Sequence, residues 1–305
     1  MTLQQLRQVL TIAESNSMNE AAKKLFVSQP NLSATVREVE EELGITVFMR
    51  NNRGITVTAE GEEFLGYAKQ VVEQYHLLEN RYLNVESKKK FSVSMQHYSF
   101  AVKAFVQLAK EVGMDEYEFA VHETKTKEVI DNVKNLKSEI GVLYLSDFNE
   151  KVLRKLFKEC DIEFKELFTC NTYVYLWKKH PLAGKKVITL DDLQEYPCLT
   201  FEQGVNNSFY YAEEMMSTYE YKRVIKADDR ATMLNLMVGL NGFTLCSGII
   251  SEDLNGDDYA AIPLKESEKM HIGYIKHKGT KLSKLGEIYI DALSLIHISE
   301  PTRRT

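Results

Sequence analysis

The sequence predicts an α/β protein led by a mostly helical winged helix-turn-helix, and three observations carry that expectation. Residues 17–54 contain two capped helical segments, a tight turn between them and a strand-like wing. Residues 58–87 form one long amphipathic stretch with no breaker. From Phe91 short apolar runs alternate with helical patterns, as strands and their covering helices do.

The head comes first. Ser17 and Glu20 form an S-x-x-E pair, a capping box that starts a helix. Ala21, Ala22 and Leu25 follow at helical spacing and turn inward. Phe26-Val27 breaks the pattern. Ser28 then caps a second helix with Pro30 in its first turn, where a missing N–H does no harm. Leu32, Val36, Val39 and Leu43 make its buried stripe, and Gly44 stops it. The opposite face carries Gln29, Asn31, Ser33 and Arg37 beside Pro30, compact polar groups plus one long cation. Such a face suits the major groove of double-stranded DNA, whose base edges present donors and acceptors. The plainer alternative is a surface helix of an ordinary helical domain. Cap, turn, second cap and wing in this order disfavour it.

These residues resemble the LysR-type transcriptional regulators. The family pattern runs AA-x-x-L, then SQP, then spaced aliphatics around a Glu, an LG, a Phe and an Arg, and a wing ending in T-x-x-G. Here it is Ala21-Ala22, Leu25, Ser28-Gln29-Pro30, Ser33, Val36, Val39-Glu40, Leu43-Gly44, Phe48, Arg50, Thr58 and Gly61. Ala34 departs from it: many members carry a long basic or amide side chain there, so one frequent DNA contact is missing.

Charge alone does not lead to DNA. The chain has 38 Lys plus Arg against 44 Asp plus Glu, a formal charge of −6. Residues 1–66 are acidic as well, with six basic residues against nine acidic ones. A broad basic surface for nucleic acid does not have this balance. Glu38, Glu40, Glu41 and Glu42 fall toward the C-terminal end of the second helix, away from the end that meets DNA. Arg37, Arg50 and Arg53 remain for phosphates or the minor groove. So sparse a set of cations points to two copies.

The next segment supplies the means. Thr58 caps a helix whose first turn carries Glu60, Glu62 and Glu63, favourable at the positive end of the macrodipole. Phe64, Ala68, Val71, Tyr75, Leu78, Tyr82 and Val85 recur at alternating steps of four and three, a heptad seam, with Leu65, Val72 and Leu83 on one flank. No breaker appears before Ser87, so the helix is expected to run roughly eight turns. A rod of that length pairs with a second copy more readily than with its own domain. The resemblance makes it the dimerising linker helix. Lys88-Lys89-Lys90 reads as a solvated hinge.

In the remainder, FSVSM, EFAVHE, IGVLYL, YVYLW, PCLTF, FTLCS and MHIGYIKH read as strands. Stretches 100–112, 126–138, 149–159, 208–219 and 230–240 read as helices, with Phe209 and Met216 packing inward from the fourth. This alternation implies parallel sheets covered by helices. About 200 residues exceed one small sheet, so two lobes are expected. Strand density drops near Thr169 and resumes near Glu268. The organisation expected is residues 1–58 as the DNA-binding head, 59–90 as linker helix and hinge, and 91–293 as effector domain. Lobe I takes about 91–168 and 268–293, and lobe II about 169–267. The resemblance implies that this domain is periplasmic-binding-protein-like; it rests here on HPLAGKKVITLDDL, VGLNGFTL and LSKLGEIYIDAL. Cys246-Ser247-Gly248 stands where members commonly carry Leu-Pro.

In open α/β sheets ligands gather at the carboxyl ends of strands, where loops and helix starts present free N–H groups. The effector candidates are therefore Tyr98 and Ser99 after FSVSM, Thr124 and Thr126 after EFAVHE, Phe201, Glu202 and Gln203 after PCLTF, and Asp228 and Arg230 before the helix at 230. Hydroxyls and helix starts suit a carboxylate or phosphate, and Glu202 suits an ammonium. An amino-acid-like or other amphoteric small molecule is the expected effector.

Other classes find little support. No run of eighteen apolar residues offers a membrane span. MTLQQLRQVL lacks a secretory core, so the expected location is cytoplasmic, unlike that of true periplasmic binding proteins. Cys160, Cys170, Cys198 and Cys246 are widely separated, and no metal or cofactor is expected. Arg154, Lys155 and Lys158 make Cys160 the best candidate for a thiolate, although they also read as one solvated helix face. The hydrolase, metalloprotease and nucleotide-binding signatures are missing, and Asp191-Asp192 and Asp228-Asp229 read as helix caps, so no enzyme is expected. SLIHISEPTRRT from Ser294 departs from the helical pattern and resembles translated adapter sequence; residues 294–305 are set aside as a non-native tail.

The sequence thus reads as a ligand-responsive regulator that binds an imperfect palindrome as a homo-oligomer. The seam supports at least a dimer, and the resemblance implies a tetramer. The alternative is a cytosolic small-molecule-binding protein with a degenerate head, supported by the acidic head and Ala34.

Overall fold

The computed structural model describes residues 1–15, 17–51, 54–82, 89–113, 116–206 and 208–299. Arg53, Leu83, Val85 and Lys88 lie outside the described residues, as do the side chains of Arg50 and Tyr82. The chain forms two units, Met1–Ser87 and Lys88–Thr305.

The first unit holds α1 (Leu3–Ala13), α2 (Met18–Lys24), α3 (Gln29–Leu43), the wing strands β1 (Phe48–Asn51) and β2 (Gly54–Val57), and α4 (Ala59–Tyr82). The sequence reading did not mark α1, whose signal is a Thr2–Gln5 capping box with Leu6, Val9 and Ile12 buried at steps of three. Ser17 Oγ accepts from Glu20 N at 3.2 Å, and Ser28 Oγ from Asn31 N at 3.4 Å. Gly44 ends α3 in the left-handed region, φ +70°. Leu32, Val36 and Val39 enter a core with Val9, Ile12 and Ala21. Leu43, expected in the same stripe, is exposed, because the chain turns away directly after it. Glu40 Oε1 accepts from Val47 N at 2.7 Å and Phe48 N at 3.0 Å, which fixes the entry to the wing. Thr58 Oγ1 accepts from Gly61 N at 2.9 Å. A Cβ at Gly61 would lie 2.4 Å from Val47 O, so only glycine lets the start of α4 press against the chain there.

At about 1.5 Å per residue, the 24 residues of α4 span about 36 Å. One flank packs on α1 of the same chain: Ala68 and Val72 meet Leu6, with Phe64 alongside. Arg7 lies 5.3 Å from the Tyr75 ring centroid and pairs with Glu79 at 3.3 Å. The predicted seam is therefore split. Phe64 and Ala68 serve the chain's own head, because α1 offers them an apolar partner. Val71 and Leu78 stay bare at 50% and 57% exposure, next to exposed Tyr67 and Tyr75.

The second unit begins with β3 (Lys89–Met95), α5 (Ser99–Val112), β4 (Tyr117–Glu123), α6 (Thr126–Lys134), β5 (Ile140–Leu145), α7 (Glu150–Glu159) and β6 (Ile162–Asn171). It continues through β7 (Tyr173–Trp177), α8 (Leu190–Leu193), β8 (Cys198–Phe201), β9 (Val224–Ala227), α9 (Arg230–Leu240), β10 (Thr244–Cys246), α10 (Glu252–Asn255) and β11 (Tyr259–Pro263). The chain returns with β12 (Lys269–His277) and α11 (Lys284–Ser299). One lobe is the sheet β4-β3-β5-β12-β6, and the other holds β10-β7-β11 and the pair β8-β9. β5 is buried along its whole length: Val142 and Tyr144 face the core with α5 and α11, Leu143 and Leu145 the one with α6 and α7.

Four expectations need correction. The sheets are mixed rather than parallel. β3 is parallel to β4 and β5, yet β12 runs antiparallel to β5 and β6, and β7 antiparallel to β10 and β11. Apolar periodicity carries no strand direction, so the returning strand could not be oriented from sequence. Lys89 and Lys90 open β3 instead of forming a hinge, with Lys90 3.5 Å from Glu118. α11 continues past Ser294 to Ser299, because no glycine or proline intervenes before Pro301. Finally, 208–219 is not an α-helix. It holds a 3₁₀ turn at Phe209–Tyr211 and then bends; Phe209 is 60% exposed, and Met216 takes φ +56°. Its carbonyls take tertiary donors instead: Thr126 Oγ1 donates to Tyr211 O at 2.7 Å and Tyr144 OH to Ala212 O at 3.0 Å.

Candidate functional site

Two surfaces carry chemistry, one in each unit. In the head, α3 presents Pro30, Asn31 and Arg37 fully to solvent, with Gln29 and Ser33 half-exposed. Gln29 Nε2 donates to Ser33 Oγ at 2.9 Å, which orients the amide along the helix face. The acids crowding this helix are partly engaged elsewhere: Glu38 accepts from Gln5 Nε2 at 3.0 Å, and Glu40 holds the wing amides. The Arg50 backbone pairs with Ile55 across the wing.

In the second unit a cavity of about 700 Å³, counting space open to solvent, lies between the lobes. The first lobe contributes the end of β3 and the start of α5 through His97, Tyr98 and Ser99. The second contributes Phe201 from β8, Arg230 and Met233 from α9, and Thr244 and Cys246 from β10. Tyr98, Ser99, Phe201 and Arg230 thus share one cavity, as residues following strand ends should. Tyr98 OH donates to Gln96 Oε1 at 2.9 Å, and burial pushes its pKa up. The His97 ring stacks on Phe201 with centroids 3.7 Å apart, and Arg230 pairs with Glu123 at 2.5 Å.

Thr124, Thr126, Glu202 and Asp228 do not line it. Thr124 donates to Glu128 on a separate polar groove. Thr126 is buried, with its amide given to Gln203 Oε1 at 3.2 Å and its hydroxyl to Tyr211 O. Glu202 accepts from Gly204 N at 2.9 Å and pairs with Lys226 at 3.5 Å, while Asp228 pairs with Lys125 at 3.3 Å. In each case the polar atom has a protein partner that turns it away from the cavity; the Thr126 and Asp228 contacts join the lobes.

The sequence reading missed Glu213 and Glu214, both buried and both on the cavity wall. Glu213 Oε2 accepts from His97 N at 2.9 Å and lies 2.8 Å from His97 Nδ1, while Gln203 Nε2 donates to its Oε1 at 3.0 Å. Glu214 Oε1 accepts from Phe201 N at 2.8 Å. Burial, then neighbouring Glu213, pushes the Glu214 carboxyl up to about 8. The only available signal was two adjacent acids amid Tyr, Ala and Met, in a segment read as a helix packed through Phe209 and Met216. Cys160 is also corrected: burial raises its pKa and outweighs Lys134 and Lys127, so no thiolate is favoured. Among the described residues no cluster could hold a metal ion, and no helix is long and apolar enough to cross a membrane.

Two family models match the chain. Residues 3–62 match the bacterial regulatory helix-turn-helix protein of the lysR family, and residues 96–294 match the LysR substrate binding domain. The HTH-type transcriptional regulator CysL of Bacillus subtilis is 25% identical over 299 residues, 94% of this chain and 95% of its own. BsdA of the same organism is 26% identical over 247 residues, 78% of this chain and 80% of its own. Among solved structures, a point variant of full-length OxyR from Pseudomonas aeruginosa aligns with a TM-score of 0.71 at 19% identity, covering 97% and 95% of the two chains. Full-length CbnR in complex with its target DNA aligns at 0.59 and 17%, covering 97% and 100%. These likenesses share the fold. With the helix-turn-helix and the two-lobed domain both matched, the chain belongs to the LysR family and is a ligand-responsive, DNA-binding transcriptional regulator.

Proposed function

We propose that this regulator binds an imperfect palindrome as a homo-oligomer, at least a dimer, and that a small molecule held between its lobes shifts the placement of its heads. Residues 1–58 read DNA, α4 pairs the chains, and residues 91–293 hold the effector. Gln29, Asn31 and Ser33 read base edges, while Arg37, Arg50 and Arg53 hold the backbone. The observation that carries the reading is the polar, solvent-facing side of α3, set by the Ser28 cap and backed by Leu32, Val36 and Val39. The bare stripe of Val71, Tyr75 and Leu78 supports pairing through α4. The protein acts in the cytoplasm and catalyses no reaction. Fluorescence anisotropy on the DNA upstream of its own gene, with and without competitor DNA, tests the assignment. Site-selective binding is expected. Absence of binding to either DNA points to the degenerate-head alternative.

A further inference from the structure

The interlobe cavity has an uneven chemistry. Most of its wall is apolar: Phe100, Met233, Leu245, Ile249 and Met270 are buried there. Two carboxyls, Glu213 and Glu214, sit on the same wall. The cavity cation, Arg230, is already held by Glu123. Thr244, a lining residue more than nine-tenths buried, has a hydroxyl with no hydrogen-bond partner among the described residues, while that of Tyr175, also on the wall, meets the Asn255 side chain. A buried hydroxyl left unpaired is unfavourable, so the one on this wall points to a guest that pairs with it.

We infer that the effector is a protonated amine with a small apolar body, its ammonium against Glu214 and a polar atom on Thr244. This rests on the reading that the interlobe cavity is the effector site. Glu213 is engaged by the His97 and Gln203 side chains, whereas Glu214 takes only backbone amides, from Phe201, Glu213 and its own residue, which leaves Glu214 as the carboxyl for a guest. Once Glu214 ionises an anionic guest is unfavourable, because its charge then faces two carboxyls with Arg230 already paired. Among the described residues, the groups that act most strongly on Glu214 include no cation. Tyr98 and Tyr144 face it from the first lobe, and Cys198 and Tyr221 from the second.

Near pH 7 the Glu214 carboxyl holds a proton in the empty cavity, since it is pushed up to about 8. An ammonium ion placed against it favours the carboxylate, and the proton leaves to solvent. Affinity therefore rises with pH by up to about tenfold per unit below about 8, then levels.

The test uses the full-length protein and three probes of one shape: 2-phenylethylamine, 3-phenylpropionate and 2-phenylethanol. Calorimetry at pH 6.5 and 8 should show the amine bound at least tenfold more tightly than the other two, and more tightly at the higher pH. In two buffers of different ionisation heat, it should show net proton release near pH 7. Glu214→Gln should remove the preference and the pH dependence while far-UV circular dichroism stays unchanged. Equal or tighter binding of the propionate, no proton release by the wild type, or no binding by any probe overturns the amine assignment. Thr244→Trp fills the cavity and separates the two readings. Amine binding that survives it sinks the cavity as the effector site. Loss of binding there, with an intact Glu214 effect, supports both.

Discussion

The head and the effector domain both build with carboxylates, and they handle them differently. In the head, Glu40 is half-exposed at the end of a helix and receives two backbone amides, at 2.7 and 3.0 Å. It acts as a structural clip, and the recognition face of α3 stays clear. In the effector domain, Glu214 is buried beside a second carboxyl, and its backbone donors are Phe201 of β8, Glu213 and its own residue. The first arrangement turns an acid into local rigidity. The second leaves an acid waiting for a partner. What separates them is access to water and the neighbouring carboxyl, which formal charge does not report.

The comparison breaks first if a carboxylate is tolerated where neither arrangement exists. Leu78→Glu places one on the bare stripe of α4, against the expected partner helix. An uncompensated buried charge costs about 3–5 kcal/mol, enough to dissociate the dimer and abolish tight operator binding. Light scattering that still reports an intact dimer places the interface elsewhere.

The next test removes a base reader and leaves the acids alone. Gln29→Ala should cost about 1–3 kcal/mol of discrimination, weakening the true site more than random DNA. Arg53→Ala should weaken both alike and reduce the salt slope by about 0.9 for each phosphate no longer neutralised. Competition anisotropy across a salt series distinguishes them.

Glu40→Ala then tests the clip itself. It leaves the Val47 and Phe48 amides without their acceptor, for a loss of about 1–2 kcal/mol in head stability given their partial burial. Thermal melting of the variant should drop, although no DNA-facing side chain has changed. An unchanged melting temperature assigns wing geometry to β1 and β2 alone.

The last test is a pH slope. Glu214 sits near 8 in the fold against an ordinary 4.5, so the folded state binds more protons than the unfolded chain between those values. Effector-domain stability therefore falls as pH rises from about 4.5 to about 8, then flattens. Glu139, also raised by burial, adds to the fall. Glu214→Gln should shrink the slope without removing it. Melting temperatures across that range give the answer; an identical slope in the variant removes Glu214 as its source.

Much of this was legible where chemistry is local. Ser17, Ser28 and Thr58 each cap a helix from a position visible in sequence, Gly44 takes the left-handed φ that ends α3, and Gly61 has the Val47 carbonyl against it. The alternation after Phe91 showed two α/β lobes. It did not show strand direction, because a period of two reads alike in both orientations. The cavity was half-legible. Tyr98, Ser99, Phe201 and Arg230 follow strand ends, whereas Glu213 and Glu214 belong to a segment whose bends come from distant hydroxyls of Thr126 and Tyr144. Tertiary hydrogen bonds of that range leave no trace in a local pattern.

The placement of β12 between β5 and β6 sets an order of assembly during synthesis. The lobe that starts at residue 89 lacks an interior strand until residues 269–277 have been made. Domains fold as the chain emerges, at about 5–20 residues per second, so the later lobe has its strands available before the earlier one can close. For several seconds the nascent chain carries β5 with one edge unpaired, and a chain stopped before residue 269 keeps it so. Ribosome stalling or premature termination in that interval yields an aggregation-prone product, whereas truncation after α11 does not.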